Sequence, residues 1–291
     1  MPGPPFSLPR SDRSSASVIA PGPAFAFTGG SGTGGSGNYN AGSWTITPSG
    51  VTVNNGYTIN YLTGTLTVTP LAITVDGVTA VGKVYDGTTA ATLSTGSASL
   101  SGVVAGDTVN LGTGSATGSF ADKNVGTGKA VAASGFAISG ADSGNYTLDQ
   151  PAGLTADITA KQLTASVTAD NKVYDGTTAT TGSVGSLNGI IAGDTVNLTG
   201  TDSYDFADKN VGSGKTVMVS GLSLDGADAG NYILAALTGT ADITAKLLSI
   251  LGVTASNKVY DGSTAASLDT GSASLSGVVA GDTVNLGTGS A

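Results

Sequence analysis

The sequence predicts an all-β protein built of tandem modules, and three observations carry that reading. First, Lys-Val-Tyr-Asp-Gly-Thr-Thr at 83–89 returns at 172–178 and, with Ser263 in place of Thr, at 258–264. Tyr85, Tyr174 and Tyr260 therefore recur 89 and 86 residues apart. That is too long for a short solenoid repeat of ~20–50 residues, and long enough for a small domain with its own core. Second, all 20 acidic residues are Asp, a turn and cap residue, and the helix former Glu does not occur. Third, no stretch sustains a 3.6-residue apolar period, whereas short runs alternating apolar residues with Thr or Ser are frequent between Gly- and Asp-rich turns. Short strands at this density point to tandem β-sandwich modules of immunoglobulin-like size.

Taken in order, residues 1–37 combine Pro-Gly-Pro runs with a Gly-Ser-Thr stretch, which predicts a disordered N-terminal segment. Pro21 and Pro23 interrupt its apolar part and argue against a signal peptide, and no run approaches the ~18 apolar residues of a membrane span. Residues 38–70 predict strands at Ser43–Pro48, Tyr57–Tyr61 and Gly64–Thr69, with a tight turn at Asn54-Asn55-Gly56 and Trp44 as a core plug. One complete repeat covers 71–160 and a second 161–245. In the second, strands are expected at Leu163–Thr168, Lys172–Tyr174, Thr195–Leu198, Ser203–Phe206, Lys215–Leu224 and Asn231–Thr244. The third, 246–291, stops before the counterparts of the last three and is expected to leave strand edges exposed.

The repeats share further landmarks: Ala-Gly-Asp-Thr-Val-Asn-Leu at 105–111, 192–198 and 280–286, Phe-Ala-Asp-Lys-Asn-Val-Gly at 120–126 and 206–212, and Gly-Asn-Tyr at 144–146 and 230–232. Asp157-Ile158-Thr159-Ala160-Lys161 recurs as Asp242-Ile243-Thr244-Ala245-Lys246, so the last strand of each repeat runs into the next without a flexible linker. Neighbouring repeats of the same chain are the expected partners. Thin cores, with 46 glycines and 5% aromatics, suit an elongated array better than a pocket.

A net charge of −9 with 11 scattered basic residues argues against nucleic acid as a partner. With no His, Cys or Glu, the usual catalytic bases, triads and metal centres cannot be assembled, so no enzyme and no organic cofactor is expected. Calcium is the one metal the inventory allows: Asp202, Asp205 and Asp208 form one group of oxygen donors and Asp225, Asp228 and Asn231 another. Neither has EF-hand spacing, Asp202 and Asp205 have no acidic counterpart ahead of Phe120, and solvated turn residues are the competing reading. Tyr85–Asp86–Gly87, Tyr174–Asp175–Gly176 and Tyr260–Asp261–Gly262 pair an aromatic face with a carboxylate, as a glycan site would. Their recurrence in every repeat favours a structural motif instead, with Tyr packed and Asp-Gly making the turn; Tyr146 and Tyr232 are read the same way, as anchors of the last strand.

The triplet Tyr-Asp-Gly within Lys-Val-Tyr-Asp-Gly-Thr-Thr, followed by Ala-Gly-Asp and Gly-Asn-Tyr, resembles the YDG repeat of large bacterial surface proteins over residues 71–291. Residues 39–70, with Gly-Ser-Trp-Thr-Ile-Thr-Pro-Ser-Gly, look like the second half of the MBG repeat that often precedes it. The resemblance implies giant secreted adhesins similar to filamentous haemagglutinin, hence a cell-surface, extracellular stalk. In such a stalk host glycans or proteins are contacted by other regions. It supplies no catalytic residues.

Overall fold

The computed structural model describes residues 24–29, 32, 33, 35, 37–50 and 58–287. Residues 1–23, which include part of the predicted disordered segment, and the Asn54-Asn55-Gly56 turn lie outside the described residues. The chain is all-β, its only helical elements being two single 3₁₀ turns at Ser143–Asn145 and Ala229–Asn231 among the described residues. It divides into two compact units. Unit 1 comprises 1–83, 89–122 and 127–157; unit 2 comprises 158–291 together with two short pieces of the first repeat, 84–88 and 123–126.

In unit 2 the second repeat builds two sheets. Gly182–Asn188, Lys161–Ala169 and Tyr232–Leu234 form one; Lys172–Val173, Leu237–Thr244, Gly212–Asp225, Asn197–Phe206 and Ala179–Thr180 form the other, in those orders. Most neighbours are antiparallel, but Lys161–Leu163 pairs in parallel with Tyr232–Leu234, and Lys172–Val173 in parallel with Ile243–Thr244. Alternation decides which side chains turn inward. In Leu237–Thr244 the buried positions are Leu237, Ala241 and Ile243. Ala241 and Ile243 join Tyr204, Phe206 and Val217, and Val167 and Val184 of the first sheet close over them.

Unit 1 repeats the plan: Tyr146–Asp149, Leu71–Asp76 and Ser99–Ser101 make one sheet, with Tyr146–Asp149 again parallel to its neighbour. Its core holds Val75, Val78 and Phe136. A separate three-stranded sheet precedes it, in which Gly42–Ser49 lies between Ala24–Gly29 and Gly64–Val68. The strand Ala24–Gly29 falls inside the segment expected to be disordered: Phe27 alternates with small neighbours and its ring meets Tyr39, which in turn stands edge-on to Trp44. Residues 58–61, expected within a strand, take none.

Three boundaries in the second repeat also differ from expectation. Thr195–Leu198 and Ser203–Phe206 merge into Asn197–Phe206, because the long hairpin with Gly212–Asp225 absorbs the Gly200–Ser203 irregularity as a register shift. Asn231–Thr244 divides into a 3₁₀ turn and two strands, because the chain leaves one sheet after Leu234 and enters the other at Leu237. Gly182–Asn188 is an additional strand; its Gly and Ser positions weaken the alternation on which a sequence signal depends.

Among the described residues the third repeat has two short ladders, Ser249–Leu251 with Ser274–Ser276 and Thr254–Ala255 with Leu268–Asp269. Val259 and Tyr260 are 88% and 93% exposed, whereas Tyr85 is 1% exposed. Amide hydrogen exchange is therefore expected to be fast across 249–270 and slow across 197–244; equal protection would show that the folding unit begins elsewhere in the repeat. Val217→Ala, at a site with no exposure, should destabilise unit 2 by about 1–3 kcal/mol in urea titration.

Candidate functional site

The recurring Ala-Gly-Asp segment is a turn. Asp194 N–H donates to Ile191 C=O at 3.0 Å, and Gly193, at φ +93°, supplies the left-handed third position that a type II turn requires. The turns ending at Asp107 and Asp282 close in the same way, at 3.1 and 3.0 Å. Each turn projects its Asp carboxylate toward tyrosines brought from elsewhere in the chain.

The Asp194 side chain is 3% exposed, against 22% for that of Asp282. Tyr232 Oη donates to its Oδ2 at 2.6 Å, Tyr85 Oη to the same oxygen at 2.8 Å, and Lys123 Nζ to Oδ1 at 3.0 Å. The two tyrosine rings meet edge to face with centroids 5.4 Å apart. Ile191 N–H donates back to Tyr232 Oη at 3.0 Å, so that hydroxyl is satisfied on both sides. Lys123 also lies 3.7 Å from Asp228 and 5.8 Å from the centre of the Tyr85 ring. Tyr85 and Lys123 belong in sequence to the first repeat, yet they sit on the second repeat within unit 2.

The same set returns one repeat later in unit 2. Tyr174 Oη donates to Asp282 Oδ2 at 2.7 Å, and Lys209 Nζ stands 3.6 Å from its Oδ1. In unit 1, Tyr146 Oη donates to Asp107 Oδ2 at 2.6 Å and accepts from Val104 N–H at 3.1 Å.

The Asn of Gly-Asn-Tyr makes a second tie. Asn231 Oδ1 accepts from Val125 N–H at 2.9 Å, and its Nδ2 faces Asn124 Oδ1 at 3.3 Å. Asn145 in unit 1 does the same with Ala41 N–H at 2.7 Å and Asn40 Oδ1 at 2.8 Å. Asn40-Ala41 thus occupies in unit 1 the role that Asn124-Val125 has in unit 2.

The predicted motif residues fall into two roles. Asp86, Asp175 and Asp261 make local turns: each Oδ1 accepts the backbone N–H two residues on, at 2.9 Å, and the hydroxyl of that residue. Gly87 has φ +78°, and a Cβ there would approach Ile191 to 2.9 Å; at Gly176 the corresponding clash is with Val279 at 2.8 Å. Tyr85 and Tyr174 leave these turns for the Asp nodes, and Tyr260 stays exposed.

The calcium candidates are not brought together. Asp202 accepts from Tyr204 Oη, Asp205 from Thr178 Oγ1, Asp208 from Asn210 N–H and Lys215 Nζ, and Asp228 from Thr195 N–H, while Asn231 holds the tie just described. Asp225 ends its strand opposite Asn197. Among the described residues no three acidic side chains converge on one point. The sequence reading missed Asp107, Asp194, Asp282, Lys123 and Lys209 as site residues. The available signal was the return of a charged residue at one register in each repeat of a sparsely charged chain.

The node sets its own protonation states. The hydroxyl of Tyr232, with Lys123 and Tyr85, holds the Asp194 carboxyl below its ordinary range. Burial, followed by the hydrogen bond to Asp194, pushes Tyr232 up to about 12, and the same causes raise Tyr85. The hydrogen bond to Asp194 leads the causes that raise Lys123. Stability from the depressed carboxyl is complete above the unfolded Asp value of about 4 and is lost as pH falls through the lower folded value. Stability from the raised Tyr232 is complete below the unfolded Tyr value of about 10 and is lost as pH rises through about 12. In Asp194→Asn the acid dependence from this carboxyl should vanish, whereas the alkaline one should shrink but persist because Tyr232 stays buried, as read by urea midpoints across pH. At neutral pH, Tyr85→Phe should lower stability by about 1–3 kcal/mol, Tyr174→Phe by less because Asp282 is 22% exposed, and Tyr260→Phe by nothing measurable.

No curated protein and no solved structure matches the chain. The family model of the YDG domain matches it three times, over residues 69–153, 159–239 and 244–291. These spans hold the Tyr-Asp-Gly turns and the Asp nodes, and they cover well over half of the sequence: the chain belongs to the YDG domain family.

Proposed function

We propose that the chain is a run of non-catalytic structural repeats from a large secreted bacterial cell-surface adhesin. In this reading each YDG repeat is an immunoglobulin-like β-sandwich, successive repeats are the principal partners of one another, and adhesion to host glycans or proteins resides in other regions. The observation that carries the proposal is the Asp194 node. A buried carboxylate with three donors, two of them from the preceding repeat, is a costly arrangement to maintain unless it fixes one repeat on the next. The direct run from Thr159 through Ala160 into Lys161, strand to strand, leaves no flexible spacer to undo that fixation. Secretion and surface attachment rest on the kinship of the repeats to those of bacterial surface proteins. The absence of His, Cys and Glu from the sequence supports a non-catalytic role.

Two complete repeats chained in this way should reach ~70 Å, from strands of about ten residues rising 3.3 Å each. A rod of that length has a radius of gyration of at least about 20 Å, against ~16 Å for a compact globule of the size of 71–245. Small-angle scattering of that segment should show the extended particle, and Asp194→Ala should broaden its distribution of dimensions. A compact particle would defeat the stalk. Glycan-array and cell-binding assays should find no specific ligand; strong binding, or a melting temperature raised by calcium and lowered by chelation, would replace the spacer with an adhesive, calcium-stiffened module.

A further inference from the structure

In the second repeat, within unit 2, the segment that enters the fold and the segment that leaves it run side by side in one direction. Lys161–Leu163 pairs in parallel with Tyr232–Leu234, and Lys172–Val173 in parallel with Ile243–Thr244. Tyr232 lies 71 residues after Lys161, and Ile243 lies 71 after Lys172. Asn171 keeps the same offset of 71, its Oδ1 accepting from Asp242 N–H at 2.6 Å. Between these points each segment passes from the first sheet to the second, at different levels, and the two stay in contact across the core: a Cβ at Gly239 would meet Val167 Cγ1 at 2.9 Å. Residues 161–173 and 232–244 therefore form one parallel pair in a single register.

Neither segment lies at the edge where the chain enters or leaves. Lys161–Ala169 stands between Gly182–Asn188 and Tyr232–Leu234, and Leu237–Thr244 between Lys172–Val173 and Gly212–Asp225. The exit end is tied further: Tyr174 N–H donates to Thr244 C=O at 2.8 Å, and Thr244 Oγ1 to Lys172 C=O at 3.3 Å. The first repeat shows the same devices. In unit 1 Leu71–Thr74 runs parallel to Tyr146–Asp149, and in unit 2 Tyr85 N–H donates to Thr159 C=O at 2.8 Å.

A parallel pair places the entry of the chain at one end and its exit at the other. Tension between the two then drives the segments past each other along their axes, across the hydrogen bonds that join them, so that several bonds must break in one step. An edge strand pulled from its end gives way one bond at a time. We propose that the second repeat is a tension-bearing clamp, which resists force applied between Lys161 and Thr244 because the pairing of 161–173 with 232–244 is loaded in shear. The resistance is kinetic, a slow unfolding under force rather than a high equilibrium stability. Its use in the molecule rests on the stalk reading above; the resistance itself does not.

The chain contains no Cys, so single-molecule handles can be attached at chosen positions of the full chain. Handles at Gln162→Cys and Ala245→Cys load the parallel pair in shear. Handles at Gln162→Cys and Asn188→Cys instead peel Gly182–Asn188 from its neighbour, starting beside the Thr164–Asn188 pair; all three positions are exposed. At equal force the unfolding rate should be roughly 100-fold lower in shear, where the three bonds of Asn171, Tyr174 and Thr244 break together. Asn171→Ala, at an exposed position, should raise the rate in shear roughly fivefold and leave peeling unchanged. Equal rates in the two geometries, or an Asn171→Ala effect that is absent or the same in both, would overturn the clamp. Loss of the clamp in a particle that scattering finds extended removes the clamp alone, and shear resistance in a compact particle removes the stalk alone.

Discussion

A buried aspartate that must find donors is the constraint around which unit 2 is arranged. Asp194 is carried into the interior by a tight Ala-Gly-Asp turn, and once there its charge is tolerable only with hydrogen bonds on both oxygens. Two phenols and one ammonium supply them. Each donor is itself held in place: Tyr232 by the backbone of Ile191, Tyr85 by a turn whose glycine leaves room for Ile191, and Lys123 by a second carboxylate. Among the described residues no buried side-chain nitrogen or oxygen is left without a partner. The polar network is therefore a closed one, the condition under which such networks give one fixed geometry.

This arrangement suits modules with little apolar mass. The largest fully buried side chains are one tyrosine and five aliphatic residues, shared among the cores of the described repeats. A repeat of ~87 residues with so few aromatics gains modestly from burial alone. Tyrosine is an economical addition, since the ring contributes buried apolar area while the hydroxyl satisfies the carboxylate. The Tyr-Asp-Gly tyrosines differ in exposure: Tyr85 is buried, Tyr174 half-buried and Tyr260 exposed.

Much of the fold is legible in the sequence because it depends on local rules. Alternation of apolar and hydroxyl residues marks the strands at Leu237–Thr244 and Lys161–Ala169, and Asp-Gly marks the turns after Tyr85 and Tyr174. Where the local signal is diluted the reading fails. Gly182–Asn188 is half glycine and serine and becomes a strand only because Lys161–Ala169 offers it an edge. Asn231–Thr244 reads as one strand and divides because its two ends join different sheets. Ala24–Gly29 lies in a Pro- and Gly-rich segment, yet it pairs with Gly42–Ser49.

The sequence by itself determined that the chain is all-β, that it repeats every 86 to 89 residues, and that Tyr-Asp-Gly and Gly-Asn-Tyr recur at matching positions of the repeats. These follow from periodicity and turn chemistry, which act over a few residues. Only the tertiary structure decided that Asp194 is the hub. Its donors Tyr85, Lys123 and Tyr232 lie 109, 71 and 38 residues away, and no local pattern joins residues so far apart. Their convergence depends on the sheets forming first, because the register of paired strands is what brings three distant side chains to one carboxylate.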